Sequence, residues 1–466
     1  MKKIDITFKK AIIPVFSMII FLITAVLVWD APIHIPLIME LTFTLFLALY
    51  WGFKWNELEE MMFSSFAKIG NVLIIIMLIG MIIGIWIESG TVPTMIYYGL
   101  RFLKPQYFYV ISFILSALVS ISIGTAFGTV STVGLALISI AQGMGISLAL
   151  AAGSIISGAY VGDRMSPLSS IAIITAHSAE SDLHEMIKEM IKTFWVPFIL
   201  SAIIYFVLGL KYNGYSYDVS QISTLLDGLI NNYLISLVML IPPLSIIILA
   251  VKRVPTILNL IINLILSSLI ALFISGMSIN KVINSMYSGA VGETSIDLLN
   301  TLLTRGGLSS MLELVSLIIL AVVLGGLLEK LGILSTILSK IIQAIENRSQ
   351  LITVTMASSF ITALLSCNQL LAVFLPGKML GDKYDEMKVP RSILGRSLGD
   401  SGLILSPLIP WNINALMMMG ILNVHTLEYF KYTFFPILVP ITGLILANFI
   451  KRGGKENGSK FKREGR

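Results

Sequence analysis

Apolar runs of roughly 20 residues recur along the whole chain, each long enough for a helix to cross about 30 Å of hydrocarbon. Charged residues make up only 12% of the 466, and hydrophobic ones 56%. Soluble domains carry about 25% charged residues, so this chain cannot cover a water-facing surface. Backbone polar groups in lipid must be satisfied within the protein, which leaves helices as the spanning elements of such runs. The sequence predicts an all-α polytopic membrane protein with about 10–12 crossings or half-crossings and the lipid bilayer as its solvent.

The formal charge of +6 gathers at the ends, in MKKIDITFKK and KRGGKENGSKFKREGR. With no continuous basic stretch between them, it gives no nucleic-acid signal. Under the positive-inside rule both ends read as cytoplasmic, in a cell membrane, with an even number of crossings. Residues 451–466 read as a solvated basic tail. The single cysteine, Cys367, excludes an intramolecular disulfide.

Along the chain, residues 1–32 read as the cytoplasmic start and a first helix, about Ala11–Trp29. A second span follows at about Ile33–Trp51, then a polar connection, GFKWNELEEMMFSSFAK. Further spans fall near Val72–Ile87, Tyr107–Ile123, Ile146–Ala159 and Pro197–Leu210. Ser181–Phe194 instead places apolar residues at helical spacing among acids and lysines, the pattern of a helix lying on the membrane surface, with Asp182 and Glu185 as a capping box. Lys211–Asn231, with a turn at Asn213-Gly214, reads as a linker between halves. The second half predicts spans near Leu234–Val251, Thr256–Ser275, Glu313–Leu328, Leu351–Phe374, Leu403–Leu422 and Phe434–Phe449. Gly276–Leu312 reads as a polar interval and Lys378–Arg396 as a charged connection.

The halves resemble one another. IGMIIGIWIESG and LAVVLGGLLEKLG each put a glutamate, Glu88 or Glu329, just before a terminal glycine, 241 positions apart. The same step from Gly124-Thr125 lands in LLSCNQLL, the polar interruption of its own apolar run. Gly162-Asp163 is followed by Ser166-Pro167-Leu168, and Gly399-Asp400 by Ser406-Pro407-Leu408. These features predict two structural repeats, at 33–210 and 232–450, joined by the linker 211–231. Gly- and Pro-interrupted apolar segments in corresponding halves point to a transport site at their interface.

An acid inside a membrane segment costs about 2.5–3.5 kcal/mol on insertion scales and is a functional candidate by default. Asp163 and Asp400 are therefore candidates for binding a cation or exchanging a proton. Glu88 and Glu329 sit at span ends, where the cost is small, and Glu40 is isolated in the second span. Oxygen-rich positions suit a hard cation such as Na⁺. They are Gly124, Thr125, Gly128, Thr129, Ser131 and Thr132 in one half, and Ser366, Asn368 and Gln369 in the other. The same small residues also serve close helix packing. No Walker A sequence, Cys/His metal spacing or nucleophile–base pairing occurs, so the chain reads as a transporter without a cofactor rather than an enzyme.

Together, GTAFGTVSTVG, SGAYVGDRMSPLSS, LLTRGGLSSM with GGLLEKLG, and DSGLILSPLIPWN resemble the NhaC family of Na⁺/H⁺ antiporters, which includes exchangers of small organic acids such as malate and lactate. The resemblance implies two inverted repeats, broken or re-entrant helices meeting near the midplane, and a homodimer. It carries site roles onto Gly124, Thr125, Thr129, Asp163, Ser166, Pro167, Ser169, Asp400, Ser406, Pro407, Trp411 and Asn412. Taken with the oxygen-rich positions above, the Na⁺ candidates are Thr125, Asp163, Asn368 and Asp400. The family pattern places acids where this chain has Ser170, Asn368 and Gly399. Na⁺/H⁺ exchange is the expectation, and transport of a small organic acid or amino acid is the alternative those neutral positions leave open.

Overall fold

The computed structural model describes residues 6–29, 31–102, 104–211, 219–252, 254–296, 299–300 and 303–453. The expected turn at Asn213-Gly214 and most of the basic tail lie outside them. The described residues are almost wholly helical. The first half contains α1 (Phe8–Ile23), α2 (His34–Tyr50), α3 (Trp55–Phe66), α4 (Gly70–Glu88), α5 (Thr91–Phe102), α6 (Pro105–Ile123), α7 (Ala126–Gly143), α8 (Leu148–Met165), α9 (Ser170–Ser178), α10 (Leu183–Lys192) and α11 (Trp195–Leu210). The connecting region holds α12 (Val219–Asn232), α13 (Ile241–Val251), α14 (Thr256–Phe273) and α15 (Ile279–Ser288). The second half contains α16 (Leu312–Lys330), α17 (Ile333–Ile342), α18 (Arg348–Ser366), α19 (Gln369–Glu386), α20 (Arg391–Leu408), α21 (Ile413–Leu422), α22 (Thr426–Tyr432) and α23 (Phe434–Gly453).

Among the described residues, six helices are long and apolar enough to span a membrane, and four bent pairs bring the number to ten if each counts as one span. The bends are 51° between α10 and α11, 92° between α12 and the segment Leu237–Leu249 that contains most of α13, 47° between α20 and α21, and 56° between α22 and α23. Several segments differ from the sequence reading, among them α7, α15 and α17, which were not expected as helices. The polar connection after the second span is largely α3, half of the linker is α12, and α5 was not expected. In α3 an amphipathic pattern buries Leu58, Met61 and Ser65 and leaves the acids outside, so low mean hydropathy concealed a helix.

Element order recurs at a constant step. Helices α16 and α17 begin 242 positions after α4 and α5, and α18 to α22 begin 243 positions after α6 to α10. Backbone conformation follows the same step, with positive φ at Gly90 and Gly332, Gly124 and Cys367, Gly145 and Lys388, and Glu180 and Asn423. At this spacing Ser169 corresponds to Asn412, and each caps the short helix that follows it. Asp163 corresponds to Ser406. The two Gly-Asp…Ser-Pro-Leu elements, alike in sequence, therefore sit at different heights in their helices: Asp163 near the end of α8, Asp400 in a π-turn within α20.

Small residues let α6 and α8 approach closely. A Cβ on Gly158 or Gly162 would overlap the α6 backbone at Phe113 or Ser120, and the Ser120 hydroxyl donates to Ala159 O. This is the packing that membrane helices use where lipid removes the hydrophobic drive. It fixes the last turn of α8, and Asp163 with it, beside the end of α6.

Candidate functional site

Two helix breaks of the same design meet at Asp163. At the first, α6 ends at Gly124 in the left-handed region (φ 79°), and extended Thr125 caps α7 (φ −151°). At the second, α18 ends at Cys367 (φ 56°), and extended Asn368 caps α19 (φ −138°). A Cβ on Gly124 would come within 2.6 Å of the Leu168 carbonyl carbon, so both the close approach and the positive φ call for glycine there. Each break frees backbone groups at the start of a new helix, where N–H groups and the helix dipole favour an anion.

Asp163 is that anion. Its Oδ1 accepts from Ala126 N at 3.0 Å, and its Oδ2 from Gln369 Nε2 at 3.0 Å. Ala126 is the first residue after one break and Gln369 the first after the other, so a single carboxylate ties the two half-helices together. Gln369 Nε2 also lies 3.2 Å from Leu403 O, and Ser169 Oγ donates to Asp163 O at 2.6 Å. Asp163 is 7% exposed, and among the described residues no cation pairs with it.

Asp400 stands in different company. It is fully buried and ion-paired with Arg164, whose Nε lies 3.0 Å from Asp400 Oδ1. Thr193 Oγ1 donates to the same oxygen at 3.2 Å. Arg396, one helical turn before Asp400, places Nε 3.7 Å from its Oδ2 and Nη1 3.8 Å from Glu189 Oε2. Arg164, Arg396 and Asp400 are buried and, with the partly buried Glu189, which also pairs with Lys192 at 2.6 Å, they join α8, α10 and α20. Arg164 is the neighbour of Asp163 in sequence, yet it turns to Asp400, leaving Asp163 as a carboxylate held by neutral donors alone.

The other expected residues are distributed around these two centres. Thr129 and Thr132 donate to carbonyls of their own helix, Thr125 O at 2.9 Å and Gly128 O at 2.7 Å. Thr125, Gly128, Ser131 and Thr132 line a cavity of about 330 Å³ that reaches Pro167 and Asn259, which gives the first break an open side. Ser366 donates to Thr362 O at 2.6 Å, and Asn368 accepts from Leu370 N at 2.8 Å as the cap of α19. Ser166 donates to Ile121 O at 2.7 Å and Ser406 to Leu403 O at 2.8 Å. Asn412 and Trp411 donate to Ala363 O and Leu364 O at 3.0 and 2.8 Å, pinning the end of α18 near the second break. Tyr429 holds Pro407 O at 2.7 Å. Glu88 pairs with Lys281 at 2.9 Å, and Glu40 accepts from Thr44 at 2.8 Å, both away from Asp163. Sequence reasoning missed Arg396, Glu189 and Thr193. A basic residue four positions before a membrane aspartate was the available signal for the first; the other two come together only through tertiary packing.

The model of the Na⁺/H⁺ antiporter family matches residues 4–210 and again 158–449, so both halves and both breaks fall inside it. The chain belongs to the Na⁺/H⁺ antiporter family. This antiporter-family chain is 31% identical over 465 residues to the Na⁺/H⁺ antiporter NhaC of Alkalihalophilus pseudofirmus, covering 99% of each. It is 32% identical to the malate-2H⁺/Na⁺-lactate antiporter of Bacillus subtilis, over 86% of each chain. It is 30% identical to the arginine/ornithine antiporter ArcD of Halobacterium salinarum, over 94% of this chain and 91% of that one. The NhaC-type resemblance read from the motifs thus extends over nearly the full length.

Proposed function

We propose that this antiporter exchanges Na⁺ for H⁺ across the cell membrane, with Asp163 as the group the two ions share. The observation that carries the reading is the pair of donors on Asp163, one from each helix break, with no ion pair to an arginine or lysine among the described residues. A carboxylate held by neutral donors at a protein-buried point is left with its charge unmatched. Either a proton or Na⁺ removes that charge, and the two compete for the same oxygens. Moving the bare carboxylate through the membrane interior costs several kcal/mol more than moving the neutralised form. Exchange follows, because the loaded states cross more readily than the empty one.

In this reading the Na⁺ lies near the midplane, between two repeats at 33–210 and 232–450 that run in opposite senses, with the recurring helices beginning at Gly70 and Leu312. Thr125 and Asn368 contribute from the caps of the two half-helices. Asp400, matched by Arg164, positions α8 against α20 rather than ligating Na⁺. The chain works as a homodimer, with both termini cytoplasmic.

A second reading has support of its own: a Na⁺- or H⁺-coupled exchanger of a small organic acid or amino acid. Ser170, Asn368 and Gly399 are neutral where the family pattern has acids, and two of the relatives carry names of organic-solute exchangers. Proteoliposomes with an imposed Na⁺ gradient and an internal pH dye separate the two readings. Na⁺-driven proton movement without any organic solute supports the first. Proton movement only when malate, lactate or an amino acid is supplied supports the second and sinks the first.

A further inference from the structure

Between α15 and α16, residues 289–296 and 304–308 are non-helical backbone, and the second stretch lies against the interior of α4. Gly307 N donates to Gly80 O at 2.7 Å, Leu308 N to Met286 O at 2.8 Å, and Ala290 N to Arg305 O at 3.1 Å. Gly306 and Gly307 have φ of 84° and 85°. A Cβ on Gly80 would meet Gly307 O at 2.6 Å, and one on Gly306 would meet the Gly84 nitrogen at 2.6 Å. Gly80 and Gly84 are interior positions of α4, one of the six candidate spans. Irregular backbone at such depth is tolerated only where it is buried in protein or lines a wet cavity.

This segment lines a cavity of about 540 Å³, larger than the one at the first helix break and sharing no residue with it. Its wall carries Ser288, Arg305, Asn423, His34, His425 and Glu313. Arg305 is partly buried and donates from Nη2 to Ile421 O at 3.1 Å. Among the described residues, no carboxylate forms an ion pair with it. Glu313, on the same wall, is exposed, and His34 is occupied with Ser316 Oγ at 3.0 Å. A cation at membrane depth without an acid partner is a candidate for binding substrate.

We propose that this cavity binds the carboxylate of a small organic solute, with Arg305 as its anchor. A guanidinium presents parallel donors that match a carboxylate's two oxygens. The volume falls within the range of about 300–1,000 Å³ typical of small-molecule pockets. One cation with a glutamate on the same wall suits a singly charged group better than a doubly charged phosphate. The inference stands apart from Asp163: the chain holds this anion site whether or not Asp163 exchanges Na⁺ for H⁺.

The test uses the full-length protein purified in detergent, titrated with succinate, L-lactate and L-alanine at fixed Na⁺, and read by tryptophan-fluorescence melting and calorimetry. Inorganic phosphate and anionic-lipid nanodiscs serve as competing anion sources. Saturable binding of at least one carboxylate is expected, weakened at least tenfold in Arg305→Gln and partly retained in Arg305→Lys. Glu313→Gln, on the exposed rim, is expected to bind L-lactate several-fold more tightly and decides the test if Arg305→Gln fails to fold. Na⁺/H⁺ exchange measured on the same preparation reports on Asp163 separately. The proposal is overturned if no carboxylate binds, if Arg305→Gln binds like the parent, if Glu313→Gln binds L-lactate no more tightly, or if phosphate or lipid occupies the site and L-lactate cannot displace it.

Discussion

Replacing Asp400 with asparagine removes the carboxylate that pairs with Arg164 and leaves Arg396 only Glu189, which Lys192 also holds. Both arginines are essentially fully buried, so water cannot screen the excess charge. Removing one partner of a buried pair costs about 3–5 kcal/mol, because the surviving ion stays desolvated and unmatched. Against a typical net stability of about 5–15 kcal/mol, that is a large fraction. Asp400→Asn is therefore predicted to lower the unfolding midpoint in detergent strongly, followed by tryptophan fluorescence or by the monodisperse fraction after heating. Replacing the pair together, as Arg164→Met with Asp400→Leu, removes both charges and leaves Arg396 its contact with Glu189. Such apolar replacement of a buried pair is often neutral or stabilising, so the double variant should be more stable than the single one. The reasoning fails if Asp400→Asn unfolds like the parent while losing Na⁺ affinity, for Asp400 would then be an ion ligand whose charge the arginines do not need.

Three further predictions address the breaks and the water-facing surface. Gln369→Leu removes the second donor to Asp163 and should weaken Na⁺ half-saturation of exchange by roughly tenfold, since a hydrogen bond to a charged group contributes about 1.5–3 kcal/mol; unchanged half-saturation counts against the two-break site. Gly124→Ala forces a Cβ into the left-handed region at about 1–2 kcal/mol, and onto the Leu168 backbone besides; transport should fall well below that of Gly128→Ala, whose added Cβ meets the nearby Thr125 methyl group. At the exposed turn between α19 and α20, the bidentate Arg391 fork holds the Asp385 carboxyl below its ordinary value of 3.8. A depressed carboxyl adds stability that is present above the unfolded value and lost as pH falls through the folded one. Asp385→Asn should therefore be slightly less stable than the parent at neutral pH, with the difference vanishing in strong acid.

Much of the fold was legible because hydrocarbon imposes length and composition on every crossing. The breaks were legible too: the polar interruption Leu365–Gln369 and the Gly/Thr stretch after Ile123 have no use in a lipid-facing helix, and both lie at the junction beside Asp163. What sequence concealed was pairing across distance. Nothing local tells Arg164 to choose Asp400, 236 positions away, over the aspartate beside it; the choice depends on how α8 packs on α20. The match between the two Gly-Asp…Ser-Pro-Leu elements also misled, because shared residues were read as shared position. The backbone step of 243 instead places Ser169 with Asn412 as caps, a likeness of role rather than of residue. Helices α3 and α5 escaped detection because their polar faces lower the average on which hydropathy depends.

The most direct test of the shared-carboxylate account is Na⁺-driven proton movement in proteoliposomes, parent against Asp163→Asn, both checked for monodispersity. The parent is predicted to alkalinise or acidify the lumen with the sign of the Na⁺ gradient, and the variant to move neither ion. Full exchange in Asp163→Asn would contradict the account, because the one unmatched carboxylate at the meeting of the two helix breaks would then not be the place where Na⁺ and H⁺ compete.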